Sequence, residues 1–267
     1  MKNQKFFKKV VLLLFLIVAI LLIQQIFYKY IMRSPTGSCF VFRPGGPWSE
    51  NATLKGDCNL LPMYVMNLSI GKYIILPTTY NFKDQITITG WINSKNLSRG
   101  VILFYQGNLS STVLLVKIFD DKIEFNLNAS GVWSKTLCNS KFKNNTWYFV
   151  ATTWNGSTKK IFINGDLVCQ ENTQLSKIKA FGTPRIIGSD IFNYKSDGIV
   201  SNIQLYNTSL KDAEIKFLYF KGIGGTPILK NLVGWWPLNG DAKDYSGNNN
   251  HGTIYGGVSF VQNYNPP

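Results

Sequence analysis

Two clusters of oxygen-bearing side chains could do chemistry in this chain. One is Asp120-Asp121-Lys122-Ile123-Glu124; the other is Asp241, Asp244, Ser246 and Asn248, in a polar run that leads to His251. Paired carboxylates held close together hydrolyse glycosidic bonds, one as acid and the other as base or nucleophile. In the first cluster the two aspartates fall where a hairpin turn is expected, and there Asp serves the turn by bonding its own backbone. The second cluster offers the hard oxygen donors that calcium takes, with Asp241, Asp244 and Asn248 as the ligand set. It departs from the EF-hand loop: Asn249 stands where the sixth position needs glycine, and no glutamate closes the run. The same side chains form turns through bonds to nearby backbone, so turn formation is the first expectation and calcium, the one cofactor suggested, the alternative. His251 is the only histidine and has no serine or aspartate partner in the pattern, so no catalytic triad follows. No phosphate-loop, dinucleotide or zinc-spaced motif occurs.

Four cysteines, Cys39, Cys58, Cys138 and Cys169, form no C-x-x-C pair, which points to disulfides and an oxidising compartment rather than to metal. They allow three pairings. The local one, Cys39–Cys58 with Cys138–Cys169, is the expectation, because the second bridge would join the run before Trp147 to the end of a strand meander. Eight glycosylation sequons lie at Asn51, Asn67, Asn96, Asn108, Asn128, Asn144, Asn155 and Asn207.

The elements that would position these groups read as strands. Asn145 to Gln170 predicts three short antiparallel strands joined at Asn155-Gly156 and Asn164-Gly165, dipeptides that supply the positive φ a tight hairpin needs. Within it, Ile161 and Ile163 point to one face, and Lys160 and Phe162 to the other. Further runs occur at Lys72–Leu76, Gln85–Ile92, Val101–Tyr105, Val113–Ile118, Lys122–Leu127, Val132–Leu137, Arg185–Ile187 and Gly198–Tyr206. Short strands at this pitch predict an all-β, two-sheet antiparallel sandwich or jelly roll. One helix interrupts them, with Ser209 as cap, Asp212 as capping-box partner, Gly222 as stop and Leu210, Ile215, Leu218 and Tyr219 as its apolar stripe. Trp91, Trp147, Trp154, Trp235 and Trp236 are expected in the core; Trp48 and Trp133, nearer loops, are the ones to expect exposed.

Of the 28 basic and 14 acidic residues, six basic and no acidic ones lie in residues 1–33. The rest carries a net +8 scattered over loops, a solvated basic surface rather than a nucleic-acid groove. Val10 to Ile23 is unbroken apolar sequence, and positions 10–31 as a helix would span about 33 Å, enough for a bilayer. Lys2, Lys5, Lys8 and Lys9 would hold the N-terminus in the cytoplasm, and no A-x-A cleavage pattern follows. The expected organisation is a transmembrane signal anchor in 1–33, a Pro/Gly/Ser-rich stalk in 34–60 and an extracellular domain in 61–267.

Three motifs then carry a resemblance. Gln85-Ile-Thr-Ile-Thr-Gly-Trp91-Ile resembles the opening strand of laminin-G-like jelly rolls, the group of concanavalin A-like lectins, pentraxins and glucanases. Thr146-Trp147-Tyr-Phe-Val-Ala151 through Asn164-Gly165 resembles their central segment, and Asp197-Gly198 to Asn207 with Leu210, Glu214 and Ile215 their closing strand and helix. Trp235-Trp236-Pro-Leu238-Asn239-Gly240-Asp241, which resembles the stretch that normally opens such a domain, stands here at the end. Residues 232–267 are therefore expected to close the sandwich from the C-terminus, as in a circular permutation. Catalytic relatives carry an E-x-D-x-x-E run, which this chain lacks. The resemblance, with the expected anchor and the missing carboxylate run, leads to the expectation of a non-catalytic, membrane-anchored surface module that binds a glycan or a surface protein. The alternatives are a structural surface component that associates with copies of itself and, disfavoured, a glycoside hydrolase.

Overall fold

The structure is a computed structural model and describes residues 64–262 except 70, 78–83, 109–110, 130–131, 174, 176–177, 179–182 and 190–195. The expected anchor and stalk, the Cys39–Cys58 pair, Trp48 and Asn51 lie outside these residues. Among the described residues no helix is long and apolar enough to cross a membrane. All of them belong to one unit, residues 61–267.

Among the described residues the unit holds fifteen strands and one helix. In chain order the strands are β1 (Tyr64–Leu68), β2 (Tyr73–Leu76), β3 (Ile86–Ser94), β4 (Val101–Asn108), β5 (Ser111–Phe119), β6 (Lys122–Ala129), β7 (Val132–Asn139) and β8 (Trp147–Trp154). Then come β9 (Thr158–Ile163), β10 (Asp166–Asn172), β11 (Arg185–Ile187), β12 (Gly198–Tyr206), the helix α1 (Asp212–Phe220), β13 (Leu232–Trp236), β14 (Thr253–Tyr255) and β15 (Ser259–Gln262). The first sheet runs β10-β9-β8-β3-β12-β1-β15, with β13 also paired to β12; the second runs β14-β2-β11-β4-β5-β6-β7. Every pairing is antiparallel. This is the two-sheet sandwich the alternation predicts.

The turns follow from their residues. Ile163 pairs with Asp166 across Asn164 (φ 52°) and Gly165 (φ 80°), a two-residue loop whose positive dihedrals match the strand twist. The β8–β9 turn differs from expectation. Gly156 alone takes positive φ, at 97°, while the Asn155 side-chain oxygen accepts from the N–H groups of Ser157 and Thr158. Asn155 thus serves the turn by its side chain, leaving the reversal to the glycine.

Two faces of the first sheet are apolar. Ile88, Val150, Trp154, Ile161, Ile163, Ile203 and Leu205 pack between the sheets against Leu103, Val116, Ile123 and Phe125 of the second. On the outer side Trp91, Trp147, Phe149, Ala151, Phe162 and Tyr206 are covered by Leu210, Ile215 and Leu218 of the helical segment. That is why β3 and β8 are apolar at nearly every position. The helix begins later than expected, at Asp212 after Lys211, and Glu214 rather than Asp212 returns a carboxylate oxygen to the Lys211 N–H. The cause is upstream: Gln85 Oε1 holds the Ser209 N–H and Thr87 Oγ1 holds the Leu210 N–H, so residues 209 and 210 are tied to the sheet before a helix can start.

The C-terminal segment enters the same sandwich. β13 pairs with β12, β14 with β2 and β15 with β1; Trp236 is fully buried and donates its ring N–H to the Asn250 carbonyl. Three of the strands, β1, β14 and β15, have no counterpart in the sequence reading. β14 is exposed at every position and β15 largely half-buried, so neither carries an apolar alternation.

Candidate functional site

Where α1 stops covering the outer face of the first sheet, a groove of about 540 Å³ opens. Its floor is Thr153 of β8 with Thr158 and Lys160 of β9; its walls are Gln85, Asn155 and the start of the helix, Ser209 to Ala213. The alternation of β8 places Thr153 on the face of Phe149 and Ala151, and that of β9 places Lys160 on the face of Phe162, so both side chains emerge beside the helix. Thr87 ties the wall to the floor, donating to the Thr208 carbonyl at 2.7 Å and accepting from the Leu210 N–H at 2.9 Å.

The groove is polar. Lys160 Nζ meets Asp212 Oδ1 at 2.7 Å, with both side chains partly exposed. An ion pair at such a surface is worth about 0–1 kcal/mol, so either partner can turn to a ligand at small cost. Gln85 Oε1 accepts from Thr208 and Ser209, and Asn155 Oδ1 is taken by its turn; neither amide NH₂ is bonded among the described residues. Amide donors, hydroxyls, an ammonium and a carboxylate around one concavity suit a ligand that presents many hydroxyls.

A second cluster, absent from the sequence reading, lies where the open sides of the two sheets meet. Cys138 of β7 and Cys169 of β10 form the expected disulfide, their Cα atoms 6.4 Å apart. Beside it Lys159, on the inward face with Ile161 and Ile163, is fully buried. Its ammonium donates to the Ser134 carbonyl at 3.0 Å and the Phe125 carbonyl at 3.4 Å, and stands 3.6 Å from Glu171 Oε2. Glu171 in turn accepts from the Ser134 and Thr136 hydroxyls. Burial pulls the Lys159 ammonium down to about 8, against the opposing attraction of Glu171. Its place on the inner face was legible from the position of Ile161 two residues on.

The residues singled out from sequence serve their own local turns and strands. Asp120, at φ 50°, and Asp121 form the β5–β6 turn, while Glu124 on β6 is flanked by Lys117 at 3.3 Å and Lys135 at 3.6 Å. Asp244 spends its carboxylate within the chain: Oδ1 accepts from the Trp235 and Ser246 N–H groups, and Oδ2 from the Ser246 hydroxyl and the Asn250 N–H. Asp241 accepts from the Lys243 N–H and the Tyr245 hydroxyl, and Asn248 donates its amide to the Leu232 and Val233 carbonyls. These are turn and strand-pinning bonds, and among the described residues no group of three His, Cys, Asp or Glu side chains is placed to hold a metal ion. His251 Nδ1 accepts from the Asp244 N–H, a structural bond. Of the tryptophans, Trp91, Trp147, Trp154 and Trp236 are buried, Trp235 is half-buried, and Trp133 is 50% exposed. Of the sequons, Asn144, Asn155 and Asn207 are exposed and Asn67, Asn96 and Asn128 half-buried; the side chain of Asn108 lies outside the described residues.

Residues 68–216 match the family described as the concanavalin A-like lectin/glucanases superfamily. No curated protein sequence matches the chain. Among solved structures, a candidate carbohydrate-binding protein from Bacteroides ovatus has a TM-score of 0.62 at 16% identity, and the match covers 77% of this chain and 62% of that one. The native heptameric SAP-like pentraxin of Limulus polyphemus follows with a TM-score of 0.59 at 13% identity, covering 76% of this chain and 96% of the pentraxin. The binding domain of botulinum neurotoxin serotype D has a TM-score of 0.50 at 18% identity, over 62% of this chain and 44% of that one. At these identities the likeness is one of fold.

Proposed function

The chain belongs to the concanavalin A-like lectin/glucanases superfamily, and from that premise we propose that it is a non-catalytic module that binds glycans, free or carried on surface proteins. The observation that carries this reading is the groove between the β8–β9 turn and the start of α1, with Gln85, Thr153, Asn155, Lys160 and Asp212 around it. Asp212 would accept hydroxyl protons from the sugar, and Lys160 and the two amides would donate to its oxygens. The likeness to a candidate carbohydrate-binding protein supports the same reading. The β5–β6 acids lend no support to hydrolysis, since Asp120 and Asp121 form the turn and Glu124 is ion-paired with Lys117 and Lys135.

We place the domain outside the cell on a single-pass anchor formed by residues 10–31. The Cys138–Cys169 bridge supports an oxidising compartment. Protease digestion of intact cells tests this: loss of residues 61–267 is expected, and full protection would refute it.

A glycan array probed with residues 61–267, with and without calcium, tests the binding reading. Lys160→Met and Asp212→Asn are expected each to weaken the bound glycan at least about tenfold, the scale of one charged hydrogen bond, while unfolding stays unchanged. Silence across the array would sink the proposal.

One observation favours self-association as a second reading. β7 and β10 end their sheets, and Val132, Trp133, Leu137, Leu167 and Val168 on them are exposed. Sedimentation of the same fragment decides it, since a strict monomer would exclude pairing through these edges.

A further inference from the structure

We propose that the C-terminal half of α1 and the turn after it, residues 216–230, form a docking surface for an anionic lipid bilayer. The helix is apolar on two sides. Ile215 and Leu218 face the sheet and are buried, while Phe217 is 42% exposed and Phe220 63% exposed. Leu229, in the turn that follows, is 78% exposed. Large apolar side chains held in water on a rigid element mark a surface that something covers.

The charges around the rings select the occupant. Residues 216–230 contain Lys216, Lys221 and Lys230 and no acidic residue; the helix's own acids, Asp212 and Glu214, sit in its first turn. Lys221 Nζ lies 4.7 Å from the Phe217 ring centroid and is held by the Thr226 carbonyl and hydroxyl. Lys216 Nζ lies 5.6 Å from the Phe220 ring and also pairs with Asp166. Aromatic rings interleaved with ammonium groups fit the boundary of a bilayer: the rings enter the acyl edge while the lysines meet headgroup phosphates.

The chain outside the described residues gives a second argument, which rests on the anchor reading. An apolar stretch at 10–31 that spans a bilayer would keep the domain at that same membrane, since only about 30 residues of sequence separate the two. Covalent tethering raises the effective concentration of the surface at the bilayer, so a weak surface affinity suffices to seat the domain.

Residues 61–267 hold every strand of the described residues, the two large core clusters and the Cys138–Cys169 bridge, so this fragment folds as a unit and lacks the apolar stretch. Its co-sedimentation with phosphatidylcholine vesicles, with and without phosphatidylserine, therefore reports on the domain without the apolar stretch and stays informative if the anchor reading fails, and the variants separate the helix face from the other lysines. Binding at least about tenfold tighter to the anionic vesicles is expected, as is its loss in Phe217→Ser/Phe220→Ser. Lys216→Gln/Lys221→Gln should remove the preference for phosphatidylserine. Glycan binding should survive in both variants. Phe220→Ser alone serves if the double variant does not fold. Equal binding to both vesicle types, or a serine variant that binds like the parent, overturns the proposal. So does a dimer of the fragment that the serine variant dissolves, since the face would then belong to a second copy.

Discussion

Lys159 and Glu171 face one another at 3.6 Å across the β9–β10 pair, yet their surroundings differ sharply: the lysine side chain is 0% exposed and the glutamate 40%. The ammonium reaches past its partner to two carbonyls of the opposite sheet, beside the Cys138–Cys169 bridge. This side of the sandwich is therefore closed by a covalent bond and by one buried charge.

The buried charge makes stability depend on pH. Burial lowers Lys159 from 10.5 to about 8, so between these values the unfolded chain holds a proton that the folded chain releases. The contribution of this group to stability is level below pH 8 and rises with pH from there to 10.5. Tyr206, raised by its burial, opposes the rise above pH 10, where the unfolded tyrosine ionises first. Urea midpoints measured from about pH 7 to 10 should climb above pH 8, and Lys159→Met should flatten the climb. A parent curve as flat as the variant's would contradict this account.

The two partners should respond unequally to removal. Glu171→Ala leaves an ammonium in the interior and is expected to cost about 2–4 kcal/mol. Lys159→Met leaves a carboxylate that water can reach and should cost less. Chemical denaturation of both variants at neutral pH checks the order; equal losses would mean that the pair acts only through packing.

The bridge closes a loop with a sequence separation of 31, for which chain entropy gives about 3–4 kcal/mol. Cys138→Ala/Cys169→Ala should lose that much by denaturant unfolding, and adding a reductant should change the melting point of the parent but not of the variant.

Trp236 and Gly90 test how firmly the C-terminal segment and the sheet centre are packed. Trp236→Ala empties a fully buried site and should cost about 3–5 kcal/mol, a loss that a loosely attached segment would not show. Gly90 lies in β3 where an added Cβ would come within 2.6 Å of Ile203 and 2.8 Å of Leu103. Gly90→Val overfills that contact and should cost about 1–3 kcal/mol or more. Thermal unfolding reads both.

Much of the sandwich was legible because its strands carry their own signals. Trp147–Trp154, Arg185–Ile187 and Gly198–Tyr206 span the same residues in sequence and structure, since apolar and aromatic runs bounded by Asn and Gly admit little else. The helix start was misplaced by two residues because the bonds that delay it come from Gln85 and Thr87, more than a hundred residues away. The exposed strands β14 and β15 were missed because pairing with β2 and β1, not side-chain alternation, makes them strands.

What the sequence determined by itself was the fold class, the two-sided burial of the strand Trp147–Trp154 and the turn role of Asp120 and Asp121, and it favoured the Cys138–Cys169 pairing among three. Each rests on local period, turn chemistry or cysteine placement. The groove was decided only by tertiary structure, because it brings together Gln85, the β8–β9 hairpin residues Asn155 and Lys160, and Asp212, which are far apart in the chain. For Lys159 the alternation with Ile161 sets the face but not the burial. Only the closing of two sheets over it turns it from a surface charge into a buried one.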